Sequence, residues 1–206
     1  MALKSIRSVL TLSFVVILCT TLIPTRSVHA LTGHFNSVNL PALDTFVEKV
    51  TNGQVDELRG IYIPEILAAR VVQQPVGMYD FVSRWQNVLT QFGLASKFGS
   101  TGLLAHNDLA GKSFALLHEG QEFDLIYGDG QIYTFVVSEI LQYQALEPTS
   151  TASDFVDAKN GAILTTAELF TKIYDRPGQV IFQTCIYADH NPAWGRLFVI
   201  AQPYIE

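Results

Sequence analysis

A thiol, an imidazole and a guanidinium, three groups that can share one acyl-transfer reaction, occur in this chain as Cys185, His106 and Arg196. Cys185 ends the apolar run that starts at Val180, and Arg196 opens the run Leu197-Phe198-Val199-Ile200-Ala201. Both runs read as strands, Val180 to Ile186 and Arg196 to Ala201. The segment between them, Tyr187 to Gly195, is rich in turn formers: Asp189, Asn191, Pro192 and Gly195. A chain reversal there brings Cys185 opposite Arg196 across the base of a hairpin. A cation beside a thiol favours the thiolate, and it offers fixed positive charge to an oxyanion forming on an attacked carbonyl. Taken alone, the same arginine reads more readily as a strand-end cation in solvent.

A thiol nucleophile needs a proton partner, and His106 is the best placed by context. It ends the apolar run Gly102-Leu103-Leu104-Ala105 and begins the turn Asn107-Asp108, where a loop rises from a strand end. His118, before Glu119-Gly120, reads as a turn residue, and His34 lies in a linker. His190 lies between Cys185 and Arg196 together with Trp194. That segment borders whatever sits between the two strands, so His190 and Trp194 are candidate substrate contacts. The competing reading of Trp194 is an aromatic that closes one end of the core.

The elements that must position these groups are mostly strands. Leu43, Phe46, Val47 and Val50 recur at helical spacing within Leu40 to Asn52 and predict an amphipathic helix stopped at Gly53. From Gly60 onward the texture is β-branched and aromatic. Strands are expected at Gly60 to Ile63, Gly111 to Leu117, Glu122 to Tyr127 and Gln131 to Tyr143, with Gly128-Asp129-Gly130 as a tight hairpin. Met78 to Gln91 is ambiguous by period. The long strand is apolar on both faces, which suits a wall covered on its outside. Pro148 to Asp157 reads as a polar loop. Thr165-Thr166-Ala167-Glu168 is a capping box that starts a short helix.

Four segments together resemble the sortase family. Gly102-Leu103-Leu104-Ala105-His106-Asn107 is similar to its "GLAGH" histidine region, with Ala105 where Gly is frequent. Ile181-Phe182-Gln183-Thr184-Cys185 is similar to its "TLxTC" strand, with Ile and Phe in place of Thr and Leu. Gly195 to Ala201 resembles its arginine strand, and Ile61 to Ile66 its first strand. The match runs from about Gly60 to the C-terminus in the family's order. It implies a mostly β fold: a closed β-barrel of about eight strands with short helices, preceded by an N-terminal helix. It also implies a transpeptidase that cleaves a sorting motif in substrate proteins. Cys185 is then the nucleophile, His106 the acid/base and Arg196 the oxyanion stabiliser, with Thr184, His190 and Trp194 on the substrate side. The acyl group passes through a Cys185 thioester to an amine acceptor on the cell surface or on another protein. This chemistry requires no metal or organic cofactor. Two alternatives stay open: a hydrolase on the same scaffold, and a secreted peptide-binding β-domain without catalysis.

Residues 1–30 carry targeting signals. Lys4 and Arg7 precede a mostly apolar stretch from Val9 to Ile23, and Val28-His29-Ala30 offers a cleavage site. The segment is a signal peptide or, if retained, a signal anchor, so the location is extracytoplasmic: secreted, at the cell surface or membrane-tethered. Residues 31–59 form the linker and N-terminal helix, and 60–206 the catalytic domain. Cleavage after Ala30 removes Lys4, Arg7 and Arg26 and no carboxylate, taking the formal charge from −6 to −9. An acidic chain without a basic stripe argues against a nucleic-acid partner. Cleavage also removes Cys19, leaving Cys185 without an internal disulfide partner. Such a thiol in an oxidising compartment is either buried and inert or retained for its reactivity.

Overall fold

The computed structural model describes residues 39–150 and 152–205. The proposed signal segment and His34 lie outside them. No helix among the described residues is long and apolar enough to cross a membrane.

The chain opens with α1 (Leu43–Val50), shorter at both ends than its apolar spacing suggested. Asp44 in its first turn and Lys49 in its last suit the helix dipole. Its buried face, Phe46 and Val50, packs on Ile126. Strands β1 (Leu58–Ile63) and β2 (Leu67–Gln73) form an antiparallel hairpin. A long connection then leads to β3 (Val88–Phe92), which lies parallel to β2. The short α2 (Gly93–Ser96) precedes β4 (Thr101–Leu104), and a 3-10 helix spans Ala110–Leu116. Strands β5 (Glu122–Tyr127) and β6 (Ile132–Ala145) form the hairpin expected at Gly128-Asp129-Gly130. Short β7 (Phe155–Asp157) and β8 (Ile163–Leu164) lead to α3 (Thr166–Tyr174). Strands β9 (Val180–Ala188) and β10 (Asn191–Pro203) complete the chain.

Hydrogen-bonded neighbours run β10-β9-β4-β3-β2-β1-β5-β6, and β6 pairs again with β10. Eight strands therefore close into a barrel, which leaves its wall without a free edge. Its interior is one apolar cluster that includes Ile61, Val71, Leu103, Phe114, Phe123, Phe182 and Val199. Phe182 packs edge-on to Phe114 and to Phe123, each at 5.0 Å between ring centroids. Burying such a ring contributes about 2–3 kcal/mol, so an aromatic at this strand position serves packing. A second apolar cluster lies on the outer face, where Leu169, Ile173 and Tyr174 of α3 cover Ile181, Phe198 and Ile200. That layer explains the apolar outer face of the wall.

The two apolar faces of β6 have a further cause. Ile200 pairs with Glu139 and Ala201 with Val137, so Ser138 is bulged. Phe135 and Val137 face inward before the bulge, and Ile140 does so after it. Leu141 and Tyr143 then join the outer cluster.

Two of the expected elements before β9 differ, and the ambiguous stretch resolves. Gly111 to Leu117 is not a strand. Ala110, Gly111, Ser113, Phe114 and Leu117 are buried while Lys112, Ala115 and Leu116 are exposed, so one side of the 3-10 helix faces the core. Met78 to Gln91 resolves into the end of the β2–β3 connection followed by β3. The polar loop from Pro148 stops at Asp154, because Phe155 to Asp157 pairs with Tyr143 to Ala145 on β6. The capping box at Thr165 and Glu168 forms as expected, with both reciprocal hydrogen bonds.

Candidate active site

The site begins with the alternation of β9. Val180 and Phe182 point into the barrel, while Ile181 and Gln183 face outward to α3. Cys185 therefore lies on the outer face, half-buried. Arg196 is its direct register partner on β10. Residues directly opposite in an antiparallel pair present their side chains to the same side, with Cβ atoms about 5 Å apart. Both strands continue beyond this pair, to Ala188 and from Asn191. The thiol and guanidinium thus sit within a long hairpin and not at its base, and the expected Tyr187–Gly195 loop is mostly strand.

The turn itself is only Asp189-His190, both with positive φ (50° and 60°), the backbone of a tight two-residue hairpin. The irregularity lies further in. Asn191 pairs with Ala188 and Gly195 with Ile186, so Pro192-Ala193-Trp194 face Tyr187 alone. This bulge has two effects next to Arg196. Gly195 is pressed against the backbone carbonyl of Tyr143, where a Cβ would collide. The guanidinium donates from Nη1 to the carbonyls of Ala193 (3.1 Å) and Gly195 (2.9 Å). Its carbon lies 5.9 Å from the Phe155 ring centroid, a cation–π contact. One nitrogen is thereby anchored, and Nε and Nη2 have no hydrogen-bond partner among the described residues.

His106 arrives from β4, which runs parallel to β9 with Leu104 beside Gln183. Ala105 extends the pairing by donating its N–H to the Gln183 carbonyl at 3.2 Å. Two residues beyond the last register pair stand His106 and Cys185. Leu103 and Ala105 belong to the inner cluster, so alternation turns His106 to the outer face that carries Cys185. Its Nε2 lies 3.3 Å from the Val82 carbonyl. Asn107 fixes the following turn by donating to the Pro192 carbonyl at 2.8 Å. The three chemically capable residues are thus brought to one end of one outer face.

The other expected contacts divide. Trp194 lies half-buried in the bulge, and His190 is exposed at the hairpin tip. Thr184 departs from the substrate side: alternation turns it inward, where it is 5% exposed. Its hydroxyl has no hydrogen-bond partner among the described residues. It touches the position of Gly111, where a Cβ would collide with Thr184 Oγ1 and lie 2.6 and 2.8 Å from the carbonyls of His106 and Ala105. A cavity of about 810 Å³ includes none of His106, Cys185 and Arg196. It lies between the start of α1, β2, residues 83–88 and the 3-10 helix. The candidate site is by contrast an open face of the barrel wall.

No protein-family model matches the chain, and no curated protein does. Solved structures do. The structures it resembles are sortases. Sortase C-1 from Actinomyces oris is 14% identical, over 81% of this chain and 83% of that one, with a TM-score of 0.49. Sortase C1 from Streptococcus suis is 15% identical over 79% and 78%, also at 0.49. Sortase A from Listeria monocytogenes is 12% identical over 73% and 89%, at 0.44. The barrel stands on its own strand pairings.

Several supporting residues left no trace in a reading of side-chain chemistry. Gln183 accepts a hydrogen bond from the Tyr174 hydroxyl, which ties α3 to the outer face two residues before Cys185. Burial pushes that hydroxyl's ionisation well above the usual tyrosine range, so it serves as a donor throughout. Phe155, beneath Arg196, belongs to a strand too short for its alternation to show. Val82 acts through a backbone carbonyl, which sequence cannot mark.

Proposed function

We propose that the protein is a sortase-like cysteine transpeptidase acting outside the cytoplasm. The observation that carries this reading is the direct register of Cys185 with Arg196, with His106 leaving the adjoining parallel strand at the same level. The Cys185 thiolate attacks the carbonyl carbon of a sorting motif in a substrate protein. As the carbonyl oxygen gains charge, the free donors of Arg196 lie on its side of the strand pair. The C–N bond then breaks while His106, as imidazolium, gives its proton to the departing amine, and a thioester remains on Cys185. An incoming amine attacks that thioester and returns a proton to His106. A new amide forms and the C–S bond breaks. Water in place of the amine gives hydrolysis. The anchoring of Nη1 on two carbonyls supports the role given to Arg196, because a guanidinium fixed at one corner presents its other donors in a constant direction.

The test is mass spectrometry of the purified protein with a peptide library, with and without small amines. A mass increase on Cys185 that converts to an amide product when amine is added is the expected result. Cys185→Ala should abolish both signals with little change in stability, since one small residue replaces another. Cleavage retained in Cys185→Ala would remove Cys185 as nucleophile. Thioester that turns over at one rate regardless of amine would make the protein a hydrolase. A thiol inert to peptides and to alkylating reagents would make it a binding domain.

A further inference from the structure

The connection from Gln74 to Asn87 runs past the imidazole, and its own composition holds it poorly. Val76, Met78, Tyr79 and Trp85 are all exposed, so little apolar burial fixes its path. Hydrogen bonds do so instead. Gln74 donates from Nε2 to the carbonyls of Tyr79 (3.1 Å) and Phe81 (3.0 Å), and its Oε1 accepts from the Gly93 N–H (3.1 Å). One half-buried amide thus fastens two points of the connection to the barrel wall. At the far end, the Ser83 N–H donates to Oγ1 of fully buried Thr90 at 2.8 Å. Between these two anchors lies Val82, whose carbonyl faces His106 Nε2.

We infer that residues 74–87 form a positioning strap that holds the His106 N–H on Nε2, leaving Nδ1 as the nitrogen that exchanges the catalytic proton. This deepens the transpeptidase reading and rests on it. A carbonyl oxygen can only accept, so the Val82 contact exists only while Nε2 carries hydrogen. The neutral imidazole is then the Nε2–H tautomer with a free lone pair on Nδ1. In the imidazolium the Nε2–H stays on Val82, and the Nδ1 proton passes to the departing amine as the C–N bond breaks. The incoming amine returns a proton to Nδ1 as the new C–N bond forms. Gln74 and Thr90 are positioning residues here: neither touches substrate, and each acts by fixing where the Val82 carbonyl stands.

The decisive measurement is the nitrogen spectrum of selectively ¹⁵N-histidine-labelled Cys185→Ala protein at a pH where the imidazole is neutral. His106 should show a protonated Nε2 and an unprotonated Nδ1. Gln74→Glu keeps the acceptor for Gly93 but removes both donors to the strap, and it should mix the two tautomers. In the active enzyme it should lower kcat/KM roughly ten- to a hundred-fold, the scale for a displaced catalytic group, with KM and Tm nearly unchanged. Thr90→Val removes the second anchor and should repeat the spectral change, whereas Thr90→Ser keeps a hydroxyl and the native pattern. An Nδ1–H tautomer in the parent protein, or native His106 spectra in both Gln74→Glu and Thr90→Val, overturns the inference. The spectra need no turnover. A protein without thioester chemistry but with the expected spectra therefore refutes the transpeptidase reading and keeps the strap's hold on the ring.

Discussion

Arg196 illustrates how a residue type and its setting combine. A planar fork can rest one nitrogen on the Ala193 and Gly195 carbonyls and keep its other donors free. Lysine retains the charge and loses that division of labour. Arg196→Lys is expected to lower kcat by roughly a hundred-fold, the scale of losing one oxyanion donor, with a smaller change in KM. Stopped-flow or steady-state turnover on the motif found by mass spectrometry checks it. Wild-type turnover in the lysine variant would reduce Arg196 to a surface cation. The strand contexts of Cys185 and Arg196 were legible because both lie in β-branched and aromatic runs, and the structure places the two as a register pair. The facing of Thr184 was also available from the period of two, since its neighbour Cys185 must point the opposite way.

At the scale of elements, what the sequence showed clearly were features specified locally. The capping box at Thr165, the Gly-Asp-Gly hairpin and the apolar spacing of α1 each depend on residues a few positions apart. The 3-10 helix at Ala110–Leu116 differs from the expected strand because its burial is set by distant neighbours on β9, Phe182 against Phe114 and Thr184 against Gly111. That contact yields a prediction. In Gly111→Ala the added methyl meets two backbone carbonyls, those of Ala105 and His106, which cannot swing aside as a flexible side chain would. Overpacking of this kind costs about 1–3 kcal/mol, and it pushes on the residue that presents the imidazole. Chemical denaturation should show the loss, and turnover of the folded fraction should fall as well. Unchanged stability and activity would mean that the 3-10 helix shifts freely and does not fix His106. The β10 bulge is a second element whose existence was hidden, since Pro192-Ala193-Trp194 reads simply as a loop. It holds Trp194 next to the Cys185–Arg196 pair, half-buried. Trp194→Ala is expected to raise KM more than it lowers kcat, because the contact would be shared by bound substrate and transition state. A lower Tm with KM unchanged in the folded enzyme would assign the ring to the core.

For the whole molecule, the question is how the outer layer of β7, β8 and α3 stays on the barrel beneath the site. Part of the answer is apolar: Leu169, Ile173 and Tyr174 cover Ile181, Phe198 and Ile200. Part is Asp157, a buried carboxylate at the end of β7. It accepts the Lys159 N–H at 2.9 Å and pairs with Lys172 of α3 at 3.4 Å. The backbone hydrogen bond from Lys159, then Lys172, hold its pKa below the usual aspartate value despite burial. Glu57, bonded to the Asn52 side chain and to Arg59, and Glu168, bonded to the Thr165 N–H, are lowered in the same sense. A carboxyl group that is more acidic folded than unfolded binds more protons when unfolded. Its contribution is therefore complete above the unfolded value, near 4, and is lost as pH falls through the folded one. Thermal unfolding followed from pH 7 to pH 2 should show Tm nearly level to about pH 5 and declining below it. Asp157→Asn keeps the shape and one acceptor but removes the charge. It should lower Tm at pH 7 and give a shallower decline in acid, with the remaining slope due to Glu57 and Glu168. Phe155, two residues before Asp157 on the same strand, is the ring beneath Arg196. Loosening this layer should therefore reach the site before global unfolding, and turnover in Asp157→Asn should fall at temperatures where the barrel's far-ultraviolet signal is intact. Equal Tm–pH slopes in parent and variant would show that Asp157 does not hold the layer, and the acid sensitivity would then belong to the other two carboxylates.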